Sequence, residues 1–196
     1  MAGRNINLNQ IQHHLKAQKA PKPVRFKDII LFEDERVIVV NKPAGIASLS
    51  DRDTETNLLS MGRQYDPTVT LAHRLDKNTT GVLLFAKGPD NYREITGAFA
   101  RREVIKHYIA LVKGSRDFQE EIIELPIGIS GKGKARIDYE DGKESLTVVE
   151  TAEKFRHCTL IDCQPLTGRT HQIRVQLAAI GAPLSSDKDY GGRDLF

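Results

Sequence analysis

Residues 71–87, LAHRLDKNTTGVLLFAK, set one carboxylate, Asp76, in a polar stretch with His73, Arg74, Lys77, Asn78, Thr79 and Thr80, just before an apolar run from Val82 to Ala86. A turn that only reverses the chain is made with less charge by Asn-Gly or Pro-Gly. An acid among cations before Gly81 is therefore a candidate reacting group. The plain alternative is a turn or cap carboxylate in a structural ion pair with Arg74 or Lys77. Two further stretches carry side chains of the same interest. VIKHYIALV (104–112) presents Tyr108, and TGRTHQIRV (167–175) presents Arg169, Thr170, His171 and Arg174. A cation near a helix start opposes the macrodipole, at a cost of a few tenths of a kcal/mol, so Arg174 calls for a compensating anion. Tyr108 read alone is a packed strand aromatic. His73 and His171 read alone are hydrogen-bonded structural histidines rather than general acids.

The elements around these stretches follow from apolar periodicity. Ile29–Phe32 and Val37–Val40 read as strands joined by a charged turn, and 41–45 (NKPAG) ends the second in a loop that could bring Lys42 to the site. A short helix is expected from Thr54 as N-cap through Met61, with 62–70 as loop. Val82–Ala86 reads as a buried strand. A helix follows from Pro89 to Arg102, with Tyr92, Ile95 and Phe99 on its apolar face. Strands are expected over 104–112, 122–129, 135–139, 146–155 and 158–163, and the pattern predicts a long, mostly antiparallel sheet. A last helix opens near Thr167, with Ile173, Leu177 and Ile180 as its stripe and Gly181 as its cap.

Length and composition suit one globular domain: 196 residues, 39% hydrophobic, net charge +3. The charge is uneven, since residues 1–27 hold six cations, two histidines and no acid. This basic arm could carry a short helix over Asn7–Lys19, and it is either a solvated tail or a phosphate-binding element. The body is residues 28–196. The start has no apolar signal core, and the two cysteines, Cys158 and Cys163, read as packed thiols in a cytoplasmic protein. No segment is long enough to cross a bilayer, and no second ligand pair accompanies the cysteines to hold a metal.

HRLDKNTTGVLLFAK, IKHYIALV and TGRTHQIRVQLAAIGAPLSSDKDYGG closely resemble, in order and approximate spacing, the three motif blocks of the RluA-type RNA pseudouridine synthases, and ILFEDERVIVVNKPAG resembles that family's entry strands. The resemblance covers residues 26–192. It implies an α+β fold, a mostly antiparallel sheet flanked by helices with the active-site cleft across it. It also implies an enzyme acting on tRNA or rRNA stem-loops without cofactor or metal; the oligomeric state is open, with a monomer favoured. By the same resemblance, Asp76 acts at C1′ of a target uridine, so that uracil is detached, rotated and rejoined through C5. Arg74 displaces the target base. Tyr108 stacks on the flipped base and is the candidate base for its C5 proton, and Arg174 pairs with Asp76. Lys42, His73, Arg169, Thr170 and His171 are expected around the substrate. After YGG the family continues into a Leu-His-Ala strand that this sequence lacks, so the domain is expected to be incomplete at its C-terminus. A non-catalytic RNA-binding or chaperone-like module on the same fold is the competing reading.

Overall fold

The computed structural model describes residues 24–50, 56–131 and 133–192. The basic arm up to residue 23, the expected helix over Asn7–Lys19 and the expected cap Thr54 lie outside them. The chain divides into two units, Met1–Thr96 and Gly97–Phe196. The expected α+β class holds, and every strand pair among the described residues is antiparallel.

The first unit is a four-stranded sheet in the order β1-β2-β4-β3. Its strands are β1 (Ile30–Glu33), β2 (Val37–Lys42), β3 (Val69–Leu71) and β4 (Gly81–Lys87). The period-two pattern of β2 sends Ile38, Val40 and Lys42 into the interior, where they meet Leu83 and Phe85. Helix α1 (Leu58–Tyr65) covers this core. Its N-cap is Asn57, whose side chain accepts from the Ser60 amide while Ser60 Oγ accepts from the Asn57 amide, a reciprocal capping box. The helix thus starts later than the expected Thr54 cap would set it, and four of the nine residues of the expected 62–70 loop are helical. Gly62 misled the sequence reading because glycine usually interrupts a helix. Here a Cβ on Gly62 would fall 2.8 Å from the Phe85 ring, so glycine lets α1 lie against Phe85 and Phe26. Those two rings meet edge-on at 5.3 Å.

Helix α2 (Gly88–Ala100) runs across the division between the units, and none of its residues is fully buried. The second unit has a four-stranded sheet in the order β5-β10-β9-β6, plus a hairpin of β7 and β8. These are β5 (Tyr108–Lys113), β6 (Glu121–Glu124), β7 (Ile127–Ile129), β8 (Ala135–Ile137), β9 (Leu146–Lys154) and β10 (Cys158–Pro165). The strands therefore belong to two sheets and a hairpin rather than one long sheet. β5 begins at Tyr108, four residues later than expected, because its ladder with β10 ends at the pair Cys163 and Tyr108. The expected strand 122–129 is cut in two by Pro126, which has no amide to donate and whose carbonyl accepts from Asp138 instead (3.0 Å). Strict alternation along β10 buries Thr159, Ile161, Cys163 and Pro165, so the two cysteines do point to opposite faces, and burial pushes the Cys163 thiol up to about 12.

Helix α3 (Gln172–Ala179) packs on this core through Val175 and Leu177. It begins five residues after the expected start at Thr167, because His171 takes a left-handed conformation (φ 54°). Ile173 and Ile180 are only partly buried, and the enclosed positions include two glutamines instead. Gln176 donates to the carbonyls of Ser145 (2.8 Å) and Leu125 (3.1 Å) and accepts from Thr147 Oγ1 (2.7 Å). Buried amides of this kind are tolerated because each polar atom has a partner.

Candidate active site

In the first unit the Asp76 turn is fixed from below by two buried polar side chains. Lys42, fully enclosed at the end of β2, gives its three ammonium protons to the carbonyls of Pro43 (3.0 Å), Lys77 (2.9 Å) and Thr79 (2.8 Å). Burial lowers its pKa from 10.5 to about 8, and the negative charge of Asp76 works against that fall. Lys42, expected to approach substrate, is thereby a support for the turn, with no donor left to offer. Ser48, also buried, uses one hydroxyl twice: it donates to the Leu75 carbonyl (2.6 Å) and accepts from the Leu75 amide (3.1 Å). The Gly45 amide adds a bond to Lys77 O (2.9 Å). The backbone on both sides of Asp76 is therefore held by residues 42–48.

His73 Nε2 accepts the Leu84 amide (3.2 Å), which ties the start of the motif to β4 and fixes that nitrogen as the unprotonated one. Leu75 turns into the core while Arg74, its neighbour, is exposed. The partly exposed Asp76 thus sits between a buried anchor and a turn closed by the Thr79 amide on Asp76 O (3.1 Å).

The second unit holds Tyr108, Arg169, Thr170, His171 and Arg174. Tyr108 opens β5 and is partly buried, packed against the core of Val112, Ile161 and Cys163. Arg174 meets an anion in Asp187: Nε reaches one carboxylate oxygen at 2.7 Å and Nη2 the other at 2.9 Å, a two-pronged pair. Asp189 adds a contact of 2.8 Å to Nη2. The Tyr190 ring lies under the guanidinium, 5.0 Å from its centroid, and Lys134 Nζ lies 4.6 Å from the same centroid. Tyr190 Oη donates to the Ala135 carbonyl (3.1 Å), so His171 Nδ1 donates to the phenol oxygen (2.8 Å). Burial works to raise the Asp187 carboxyl, but the bonds and charge of Arg174 outweigh it and hold the group below the usual carboxylate range. Burial also raises the Tyr190 phenol, so it stays protonated as a donor.

The turn before α3 is equally well fixed. Gln172 accepts from Thr167 Oγ1 (2.8 Å) and the Arg169 amide (3.0 Å), and it donates to Leu146 O (2.9 Å) and Thr147 Oγ1 (2.9 Å). Thr170 is partly buried in this turn. Sequence reasoning missed the supporting residues Ser48, Gln172, Asp187 and Tyr190. Asp187 and Tyr190 lay within a recognised block, and the anion demanded by Arg174 was the signal for the first.

The family model for RNA pseudouridylate synthases matches residues 36–179, the span from β2 through α3. The chain belongs to that family. Among curated relatives, ribosomal large subunit pseudouridine synthase C of Salmonella typhimurium is 32% identical over 205 residues, covering 98% of this chain and 64% of that protein. The Yersinia pestis protein of the same name is 36% identical over 183 residues, covering 90% and 57%. The chain therefore spans just under two thirds of the length of these pseudouridine synthases, or less. Among solved structures, human RNA pseudouridylate synthase domain containing 1 superposes with a TM-score of 0.73 at 28% identity, over 87% of this chain and 72% of that one. Human RNA pseudouridylate synthase domain containing 4 shares the fold, with a TM-score of 0.71 at 23% identity over 92% and 73%.

Proposed function

We propose that this chain is the catalytic domain of an RNA pseudouridine synthase acting on a uridine of ribosomal RNA. The observation that carries the reading is the Asp76 turn: a carboxylate presented on a backbone clamped by Lys42 and Ser48, followed by the motif strand β4. Ribosomal RNA, rather than tRNA, is favoured by the names of the bacterial relatives.

The reaction breaks the C1′–N1 bond of uridine, turns the uracil and forms a C1′–C5 bond, after which the C5 proton leaves and N1 gains one. Asp76 is the group that acts at the sugar. Arg174 is the cation assigned to support that carboxylate when RNA covers it. Reaching a paired uridine requires extruding it at a cost of a few kcal/mol. Stacking on Tyr108, on the order of 1–3 kcal/mol for one base, offsets much of that. Arg74, exposed two residues before Asp76, is the side chain assigned to the vacated place in the RNA.

The test is to incubate the protein with ribosomal RNA and, separately, tRNA carrying tritium at uridine C5, then to map the modified positions. Label released from ribosomal RNA supports the proposal. RNA that binds tightly and releases no label from either pool would favour a binding module.

A further inference from the structure

Two cations beside the Thr167–Arg169 turn have donors that the fold does not use. Lys106, two residues before Tyr108, is half-buried, and its ammonium makes one hydrogen bond, to Thr167 O at 3.2 Å. Lys42 shows what a satisfied buried ammonium looks like in this protein, with three carbonyls at 2.8–3.0 Å. Lys106 lacks two of those three partners among the described residues. Burial lowers its pKa with no carboxylate opposing the fall. Arg169 is also half-buried, and its guanidinium makes one bond among the described residues, Nε to Glu144 O at 3.1 Å, leaving both Nη groups for a ligand. The Glu144 carboxylate is turned to Arg102 (3.4 Å). Next to Arg169 in the chain is Gly168, exposed, where an added Cβ would find only Lys106 Nζ, at 3.9 Å. The turn is anchored through Thr167 and Gln172, so the donors are set before anything binds.

We propose that Lys106 and Arg169, both beside Gly168, together hold one phosphodiester of the RNA backbone. A compact ammonium and a planar fork, each half-buried and left with spare donors, match a phosphate monoanion, whose oxygens accept from both. A phosphate contact at this turn fixes register without reading sequence. The assignment rests on the RNA-binding reading above and adds to it the point at which the strand is gripped.

The experiment measures equilibrium binding of structured ribosomal RNA at several salt concentrations by the full chain and by Lys106→Gln, Arg169→Gln and the double variant. Lys154→Gln, an exposed lysine paired with Asp117, serves as a control for simple loss of charge. Each single variant is expected to weaken binding roughly tenfold and to reduce the slope of log affinity against log salt by about one. The double variant should lose no more slope than either single, because both cations share one phosphate. Lys154→Gln should change neither quantity, and Lys106→Arg should restore binding, which separates a lost contact from a misfolded protein. Unchanged slopes, a fall equal to that of Lys154→Gln, or a slope loss of about two in the double variant would each overturn the shared site. Titration with inorganic phosphate, read at the Gly168 amide, distinguishes a site for free phosphate: saturation there with RNA affinity unaltered in the variants also overturns it. Tritium release by the wild-type chain is scored separately, so a chain that binds RNA through this site without modifying it refutes the proposed activity and leaves the phosphate site standing.

Discussion

Replacing Lys42 with methionine removes the one side chain that holds both carbonyls of the Asp76 turn, Lys77 O and Thr79 O, as well as Pro43 O. Three charge-assisted bonds contribute about 1.5–3 kcal/mol each. Against them stands the cost of enclosing the ammonium, roughly 3 kcal/mol from a pKa depressed from 10.5 to about 8. The difference leaves Lys42→Met destabilised by on the order of 2–5 kcal/mol at pH 7. The pH dependence gives the sharper check. Below pH 8 the lysine is charged in both folded and unfolded chains, and the full burial cost is present. Between pH 8 and 10.5 the unfolded chain binds more protons than the folded one, so wild-type stability rises with pH through this group. Methionine has no such term, and other titrations cancel in the difference. Urea unfolding of both proteins at pH 7 and pH 10 should therefore show the wild-type advantage widening by up to about 3 kcal/mol. A gap that stays constant or narrows, or a variant as stable as wild type at pH 7, would refute this account of Lys42.

Other substitutions report on other parts of the structure. Asp187→Asn removes the two-pronged partner of Arg174, whose side chains are 19% and 9% exposed. It should cost about 1–3 kcal/mol of stability. Because the Asp187 pKa is lowered by folding, the wild-type advantage should fade as pH drops through the folded value, and pseudouridine formation should fall at least tenfold in kcat with RNA affinity little changed. Gly62→Ala would push a methyl against Phe85 at 2.8 Å, and calorimetry should show a loss of about 1–3 kcal/mol. The Cys163 thiol, raised to about 12, should resist alkylation at pH 8 in the folded protein and react once urea is added.

The legible parts of this fold were those where one local rule governs. The runs Val37–Val40, Val82–Ala86 and Cys158–Cys163 read as strands close to their observed limits, β2 and β10 each running two residues further. The misplaced boundaries came from tertiary partners that no window of sequence contains. Gly62 is helical because an aromatic ring needs its missing Cβ, and the helix after Thr167 waits for His171 because Gln172 holds the preceding turn. For the candidate site, the order and spacing of the three motif blocks marked Asp76, Tyr108 and Arg174. Lys42 shows the limit of that reading: a lysine beside a candidate acid suggests substrate, whereas enclosure by three carbonyls makes it scaffold.

The role proposed for Asp76 is to perform the chemistry on RNA held by the rest of the domain. Its most direct test compares tritium release from uridine C5 in ribosomal RNA by the wild-type chain and by Asp76→Asn, with RNA affinity measured on the same preparations. Release is expected from wild type and none from the variant, with RNA affinities within a few-fold of each other, on the order of 1 kcal/mol or less. Release by Asp76→Asn at the wild-type rate would contradict it.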